Sequence, residues 1–129
     1  MVLVDTTVWI DFFAGRNESH VMSLQELNES EEELSLCGVI LAEVLQGIRS
    51  DAEFIKTKEY LGDLIFLPMW HATFVQAAEI YRSLRKKGVT IRKPVDCMIA
   101  SVAIEFNIQL LHNDRDFNNI AKHSKLRIL

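Results

Sequence analysis

The chain opens on three apolar residues, Val2-Leu3-Val4, that stop at Asp5. Short apolar runs recur at Leu34–Cys37, Leu64–Leu67, Gln109–His112 and Leu126–Leu129. Each is too short for a helix and is bounded by polar or turn-forming residues, so each predicts a buried strand. Between them the period changes. Thr6–Phe13 predicts a short helix closed by Gly15. Ser19–Asn28 predicts a second, with Ser19 as cap and Val21, Leu24 and Leu27 on one side. Gly38 breaks the second strand, and Val39–Arg49 follows as an apolar helix with Ile40, Leu41, Val44, Leu45 and Ile48 at helical spacing. Asp51 caps a helix to Leu61. Trp70–Lys87 predicts a long amphipathic helix, stopped by Arg85, Lys86, Lys87 and Gly88. Pro94 suits the first position of a helix reaching Phe106. Asn113-Asp114 opens a last short helix to Lys122. Glu29, Glu31, Glu32 and Glu33 form a solvated helix end or loop, and Val89–Lys93 a basic loop.

Strands alternating with helices predict an α/β sandwich around a mostly parallel sheet of four or five strands. A length of 129 residues suits one domain, 1–129, with no repeat and no linker. The chain is 49% hydrophobic and 25% charged, so it can bury a core and is not of disordered composition. No apolar run is long enough to span a bilayer, and the first residues do not read as a secretory signal. Cys37 and Cys97 are too few for a disulfide framework, so reduced thiols in the cytoplasm are expected.

The net charge is −4, which argues against holding nucleic acid by bulk charge alone. The placement of the acids says more than their sum. Ligands of open parallel sheets bind beyond the carboxyl ends of the strands. Asp5 directly follows the first predicted strand, and Asp114 and Asp116 follow the fourth. Asp96 lies in the first turn of the helix after the basic loop, and Glu43 is set in the apolar segment Ile40–Leu45. Each also has an ordinary structural explanation. Asp5 and Asp114 are good N-caps, Asp96 and Asp116 complement a helix dipole, and Glu43 can turn to water. Those explanations predict scattered acids, yet the strand ends share them. Two unit charges about 4 Å apart repel by about 4 kcal/mol at an effective dielectric near 20, so a converging set calls for a cation. Oxygen-only ligands suit Mg²⁺ or Mn²⁺, and no Cys/His spacing suits zinc. Carboxylate-held Mg²⁺ serves phosphoryl transfer.

The segment Val2-Leu-Val-Asp5-Thr6-Thr7-Val8-Trp9-Ile10-Asp11-Phe12-Phe13 resembles the opening of a PIN-domain ribonuclease of the VapC toxin type. The resemblance continues through Leu34–Arg49 around Glu43, Pro94–Ala103 around Asp96, and Leu110–Ala121 around Asp114 and Asp116. It implies a PIN-like α/β/α sandwich and a Mg²⁺- or Mn²⁺-dependent endoribonuclease, the toxin of a toxin–antitoxin pair. By position, Asp5, Glu43, Asp96 and Asp114 are its carboxylates. Asp5, Asp96, Asp114 and Asp116 hold metal, with Asp5 and Asp96 nearest the principal ion. Thr6, Thr7 and Asn113 support the acids by hydrogen bonds. Where the family often has Thr or Ser shortly before the fourth acid, this chain has His112-Asn113. The resemblance also implies RNA as substrate, with tRNA or rRNA loops as candidates, a homodimer or toxin–antitoxin hetero-oligomer, and a cognate antitoxin. Phe12, Phe13, Ile48, Phe54 and Tyr60 are candidates for the groove that would take the antitoxin's C-terminal segment.

Lys87, Arg92, Lys93 and Arg115 surround the acids in sequence and suit phosphate contacts, although a helix end and a solvated loop also attract cations. Trp9 reads as core rather than as a stacking platform, and His71 and His123 as surface residues. A receiver domain would need an Asp after strand three, where Pro68-Met69-Trp70 stands. A 5′-nuclease-like DNA hydrolase would need an insert for threading. The remaining alternative is a catalytically silent PIN fold that binds RNA or protein.

Overall fold

The computed structural model describes residues 1–129. The elements run β1 (Val2–Val4), α1 (Thr6–Phe13), α2 (Ser19–Glu29), β2 (Leu34–Cys37), α3 (Gly38–Gln46), α4 (Asp51–Gly62), β3 (Ile65–Leu67), α5 (His71–Lys86), α6 (Pro94–Glu105), β4 (Gln109–Leu111), α7 (Arg115–Lys122) and β5 (Arg127–Ile128). The strands form one sheet in the order β3-β2-β1-β4-β5, and every pairing is parallel. Crossovers that step one way to β3 and then back past β1 to β4 place helices on both faces when each is right-handed.

A parallel sheet covered on both faces needs strands that are apolar on both sides. β1 and β2 meet this: all their residues are buried, Leu3 and Val4 completely. The one polar residue among them, Ser35, donates its hydroxyl to the Val2 carbonyl at 2.9 Å, so its burial leaves no unmet donor. Val2 aligns with Leu34 on one side and Gln109 on the other. The ladder continues one residue past β1, where the Asp5 N–H donates to the Leu111 carbonyl at 2.9 Å. That bond sets the end of β1 beside the turn that leaves β4. Trp9 lies fully buried, as core, and His71 and His123 are exposed. Cys37 and Cys97 are buried free thiols, and burial pushes each up to about 11.

Several boundaries differ from the sequence expectation. Ser19 does not cap α2; the cap position is Glu18, without a side-chain bond. Gly38 begins α3 rather than ending a strand, and the helix stops at Gln46, short of Arg49, because Gly47 takes the C-cap. Ser50, not Asp51, caps α4, its hydroxyl accepting from the Glu53 N–H at 3.3 Å. Asp51 and Glu53 instead sit in the first turn, where the helix dipole favours them. No helix is long and apolar enough to cross a membrane.

Candidate metal centre

The strand order reverses between β1 and β4, and in open sheets a crevice forms at such a switch point. Asp5 leaves β1 there, and Asp114 and Asp116 follow β4. Asp96 enters from the first turn of α6, where Pro94 at the start needs no N–H partner. Glu43 comes from α3. Asp5, Asp96 and Asp116 are buried; Glu43 and Asp114 are half-buried.

Asp96, Asp114 and Asp116 converge, one ligand oxygen from each lying within 4.8 Å of the others. Asp5 and Glu43 stand outside this trio. The Asp5 Oδ2 accepts from the Thr7 N–H at 3.1 Å and the Thr7 hydroxyl at 2.6 Å, capping α1. The Thr6 hydroxyl donates to Glu43 Oε1 at 2.7 Å, tying α1 to α3. Asn113 contributes through its backbone: its N–H donates to the Thr7 hydroxyl oxygen at 3.0 Å. Thr7 therefore links the β4 turn to the Asp5 carboxylate. Asp114 caps α7, accepting from the Asp116 N–H at 3.0 Å, while the His112 Nδ1 accepts from the Asp114 N–H at 3.0 Å.

The site is electrostatically strained without a cation. Burial raises Asp5, opposed by its Thr7 bonds, and Glu43 raises it further. Burial pushes Asp96 up to about 7; Lys93 opposes this, while Asp5, Asp114 and Glu43 add to it. Burial would raise Asp114 as well, but the Asp116 N–H, Lys93 and Arg92 outweigh it and hold Asp114 below the ordinary carboxylate range. Burial also lowers His112. The Asp96 Oδ2 is buried with no hydrogen-bond partner. An unpaired buried carboxylate oxygen is costly, and a hard cation is the ligand that satisfies it. The donor set is oxygen only, so these residues fit Mg²⁺ or Mn²⁺.

The cations of the basic loop lie on the acids. Arg92 reaches Asp114 Oδ1 through Nη2 at 3.1 Å and Asp116 Oδ2 through Nε at 3.2 Å, and the Lys93 Nζ stands 3.3 Å from Asp114 Oδ2. Lys87 and Arg115 are exposed and form none of the ion pairs. Sequence reasoning missed a neighbouring cluster. The buried Asp11 of α1 accepts from Arg16 and meets the His20 Nε2 of α2, each at 2.6 Å. The signal available was an acid in the middle of an otherwise apolar α1.

Trp9, Phe12, Phe13 and Tyr60 pack edge-on and stacked, with ring centroids 5.2–6.0 Å apart. Phe12, Phe13, Ile48, Thr57 and Tyr60, with Glu53 and Lys56, line a groove of about 350 Å³ beside them. Phe54 is exposed but does not line it.

A five-stranded parallel sheet with a carboxylate trio at its switch point defines an α/β protein with an acidic cluster that could hold a hard cation. The PIN domain family model matches residues 2–123, and the chain belongs to the PIN domain family. It is 31% identical to Ribonuclease VapC11 of Mycobacterium tuberculosis over 129 residues, 98% of this chain and 96% of that protein. In fold it is similar to VapBC2 of Rickettsia felis bound to a promoter DNA fragment. That match has a TM-score of 0.79 and 20% identity over 100% of this chain and 98% of the other. It is also similar to VapC20 of Mycobacterium tuberculosis, a sarcin-ricin loop cleaving toxin, with a TM-score of 0.75 and 16% identity over 98% and 99% of the two chains.

Proposed function

We propose that this protein is a VapC-type endoribonuclease, the toxin of a toxin–antitoxin pair, which hydrolyses RNA phosphodiester bonds with carboxylate-bound Mg²⁺ or Mn²⁺. One observation carries the reading: a buried carboxylate oxygen without a partner, on Asp96, inside a trio of acids at the switch point. The chain's 31% identity to a ribonuclease across nearly its whole length gives that site its reaction class.

Asp96, Asp114 and Asp116 are the residues that would hold the metal, with Asp5 beside them and Glu43 completing the acidic wall. Such an ion, when bound, lowers the pKa of water and neutralises charge on the oxygens of an in-line displacement. Thr7 fixes the Asp5 carboxylate and Thr6 fixes Glu43, so neither acid needs to reorganise as charge develops. Arg92 and Lys93, with the exposed Lys87 and Arg115, form a cationic rim suited to the phosphates on either side of the scissile bond. RNA loops, in tRNA or rRNA, are the candidate targets because their unstacked bases are accessible, which makes loops the usual sequence-specific RNA targets.

A cognate antitoxin is the proposed regulator, and the aromatic groove of Phe12, Phe13 and Tyr60 is its proposed seat. A homodimer is supported by a second exposed apolar surface, where Phe74, Ala78 and Tyr81 of α5 meet Pro94 and Met98 of α6. One domain over 1–129, working in the cytoplasm, completes the reading.

The test is cleavage of total cellular RNA by the purified protein, with and without Mn²⁺, beside Asp96→Asn. Discrete metal-dependent products from the wild type alone are expected. Folded, antitoxin-free protein that cuts none of several RNA pools would transfer the reading to a silent PIN fold that binds RNA or protein.

A further inference from the structure

The turn from β4 to α7 is three residues long, His112, Asn113 and Asp114; it carries one acid of the trio and leads directly into the first turn of α7, which carries Asp116. A connection this short has few backbone partners. The Asn113, Asp114 and Asp116 N–H groups all go to side-chain acceptors, at 3.0 Å each: the Thr7 hydroxyl, the His112 Nδ1 and the Asp114 Oδ1. The shape of the turn is therefore written by three side chains. Thr7 and Asp114 have been placed already. The third is an imidazole, in a pattern where a side chain accepts from the N–H two residues on, work usually done by Asp, Asn, Ser or Thr.

We propose that His112 is a positioning residue for the metal centre. Its Nδ1 holds the Asp114 N–H and so sets the turn that aims Asp114 and Asp116 at Asp96. The inference rests on the metal-dependent reading of that site.

Two further observations support it. The acceptor role assigns the ring's hydrogen to Nε2, so Nδ1 offers its lone pair to the Asp114 N–H. The ring also packs on Phe117, centroids 5.1 Å apart. Phe117 is completely buried in α7, next to Asp116. His112 thus joins the end of β4 to the helix that carries the third acid, one contact polar and the other apolar. Without the acceptor the Asp114 N–H turns to water, and the carboxylates sample orientations away from Asp96. Lost supports of this kind cost about 10–100-fold in metal affinity.

Three variants separate the polar contact from the packing. His112→Asn keeps an acceptor oxygen near the place of Nδ1 and loses the ring. His112→Phe keeps a ring on Phe117 and loses the acceptor; His112→Ala loses the acceptor without adding bulk. Mn²⁺ dissociation constants by calorimetry, with metal-free thermal melts alongside, decide between them. His112→Asn is expected within about threefold of wild type, and His112→Phe and His112→Ala about 10–100-fold weaker. The metal-free melts should not follow that order. Wild-type affinity in His112→Phe, or equal weakening in His112→Asn and His112→Phe, overturns the proposal while leaving the nuclease reading intact. A wild type that binds no Mn²⁺ overturns both.

Discussion

Asp96 combines two properties that pull against each other in a metal-free protein. It is buried, with Oδ2 unpaired, and its carboxyl titrates near neutrality, at about 7. An acid raised in the folded state keeps a proton that the unfolded chain has already lost. Its contribution to stability is therefore lost as pH rises from its ordinary value of 3.8 through about 7. Asp5 is raised too and acts in the same direction. Asp114 and Asp11 are lowered, so their contributions are complete above 3.8 and vary only in more acidic solution. The metal-free protein should accordingly melt at a lower temperature at pH 8 than at pH 5.5, with His112 opposing the trend because burial lowers its pKa and so adds stability as pH rises to its ordinary value of 6.5; saturating Mn²⁺ should remove the part due to Asp96 and Asp5. Metal competes with that same proton, so Mn²⁺ affinity should fall by about tenfold per pH unit below 7 if one proton is released. Calorimetry across pH 6–8 measures it; a flat profile would mean that Asp96 is ionised in the metal-free site. Asp96→Asn should cut Mn²⁺-dependent cleavage by at least about 100-fold without lowering the metal-free melting temperature at pH 8, because the change removes a buried charge.

At the scale of elements, α1 is held by more than its apolar face. Asp11 is buried and meets His20 of α2 and Arg16 of the intervening loop at 2.6 Å each. Asp11→Ala leaves the buried His20 without its partner and should cost about 2–3 kcal/mol, below the range for fully buried pairs because Arg16 is largely exposed. Urea denaturation of Asp11→Ala and Asp11→Asn reads this directly, with the Asn variant intermediate. A loss under about 1 kcal/mol would reduce the cluster to an ordinary surface pair. This clamp also marks where the sequence stopped being readable. Strand positions followed from short apolar runs bounded by polar or turn-forming residues, and α5 and α6 from periodicity and Pro94. The end of α3 did not, because Ile48 continues the helical spacing past Gly47, which terminates it. The acids were readable as candidates. The division between the trio and Asp5 with Glu43 was not, since it depends on which hydroxyl, Thr6 or Thr7, reaches which carboxylate. Asp5 and Asp114 turned out to be helix caps as well as members of the acidic wall. Their capping roles do not exclude the proposed functional ones.

For the whole molecule, a net charge of −4 must be reconciled with a polyanionic substrate. The switch point resolves it by concentrating both signs in one crevice. Without metal, Arg92 and Lys93 are spent on Asp114 and Asp116, so of the four proposed rim cations only Lys87 and Arg115 are exposed and unpaired. A divalent ion held by the trio would supply the acids' counter-charge and leave the two loop cations to phosphate. Metal and RNA binding should therefore be coupled, and salt dependence reports it. Each phosphate neutralised on a single strand contributes about −0.7 to the slope of log K against log salt. Two free cations give about −1.4 and four about −3. The measurement is RNA binding by Asp5→Asn, which should bind without cutting, across salt concentrations with and without Mn²⁺. The slope should roughly double when Mn²⁺ is present, and Lys87→Gln and Arg115→Gln should each reduce it by about 0.7 in either condition. An Mn²⁺-independent slope would mean that Arg92 and Lys93 stay with the acids, leaving the substrate to be held by the exposed cations alone.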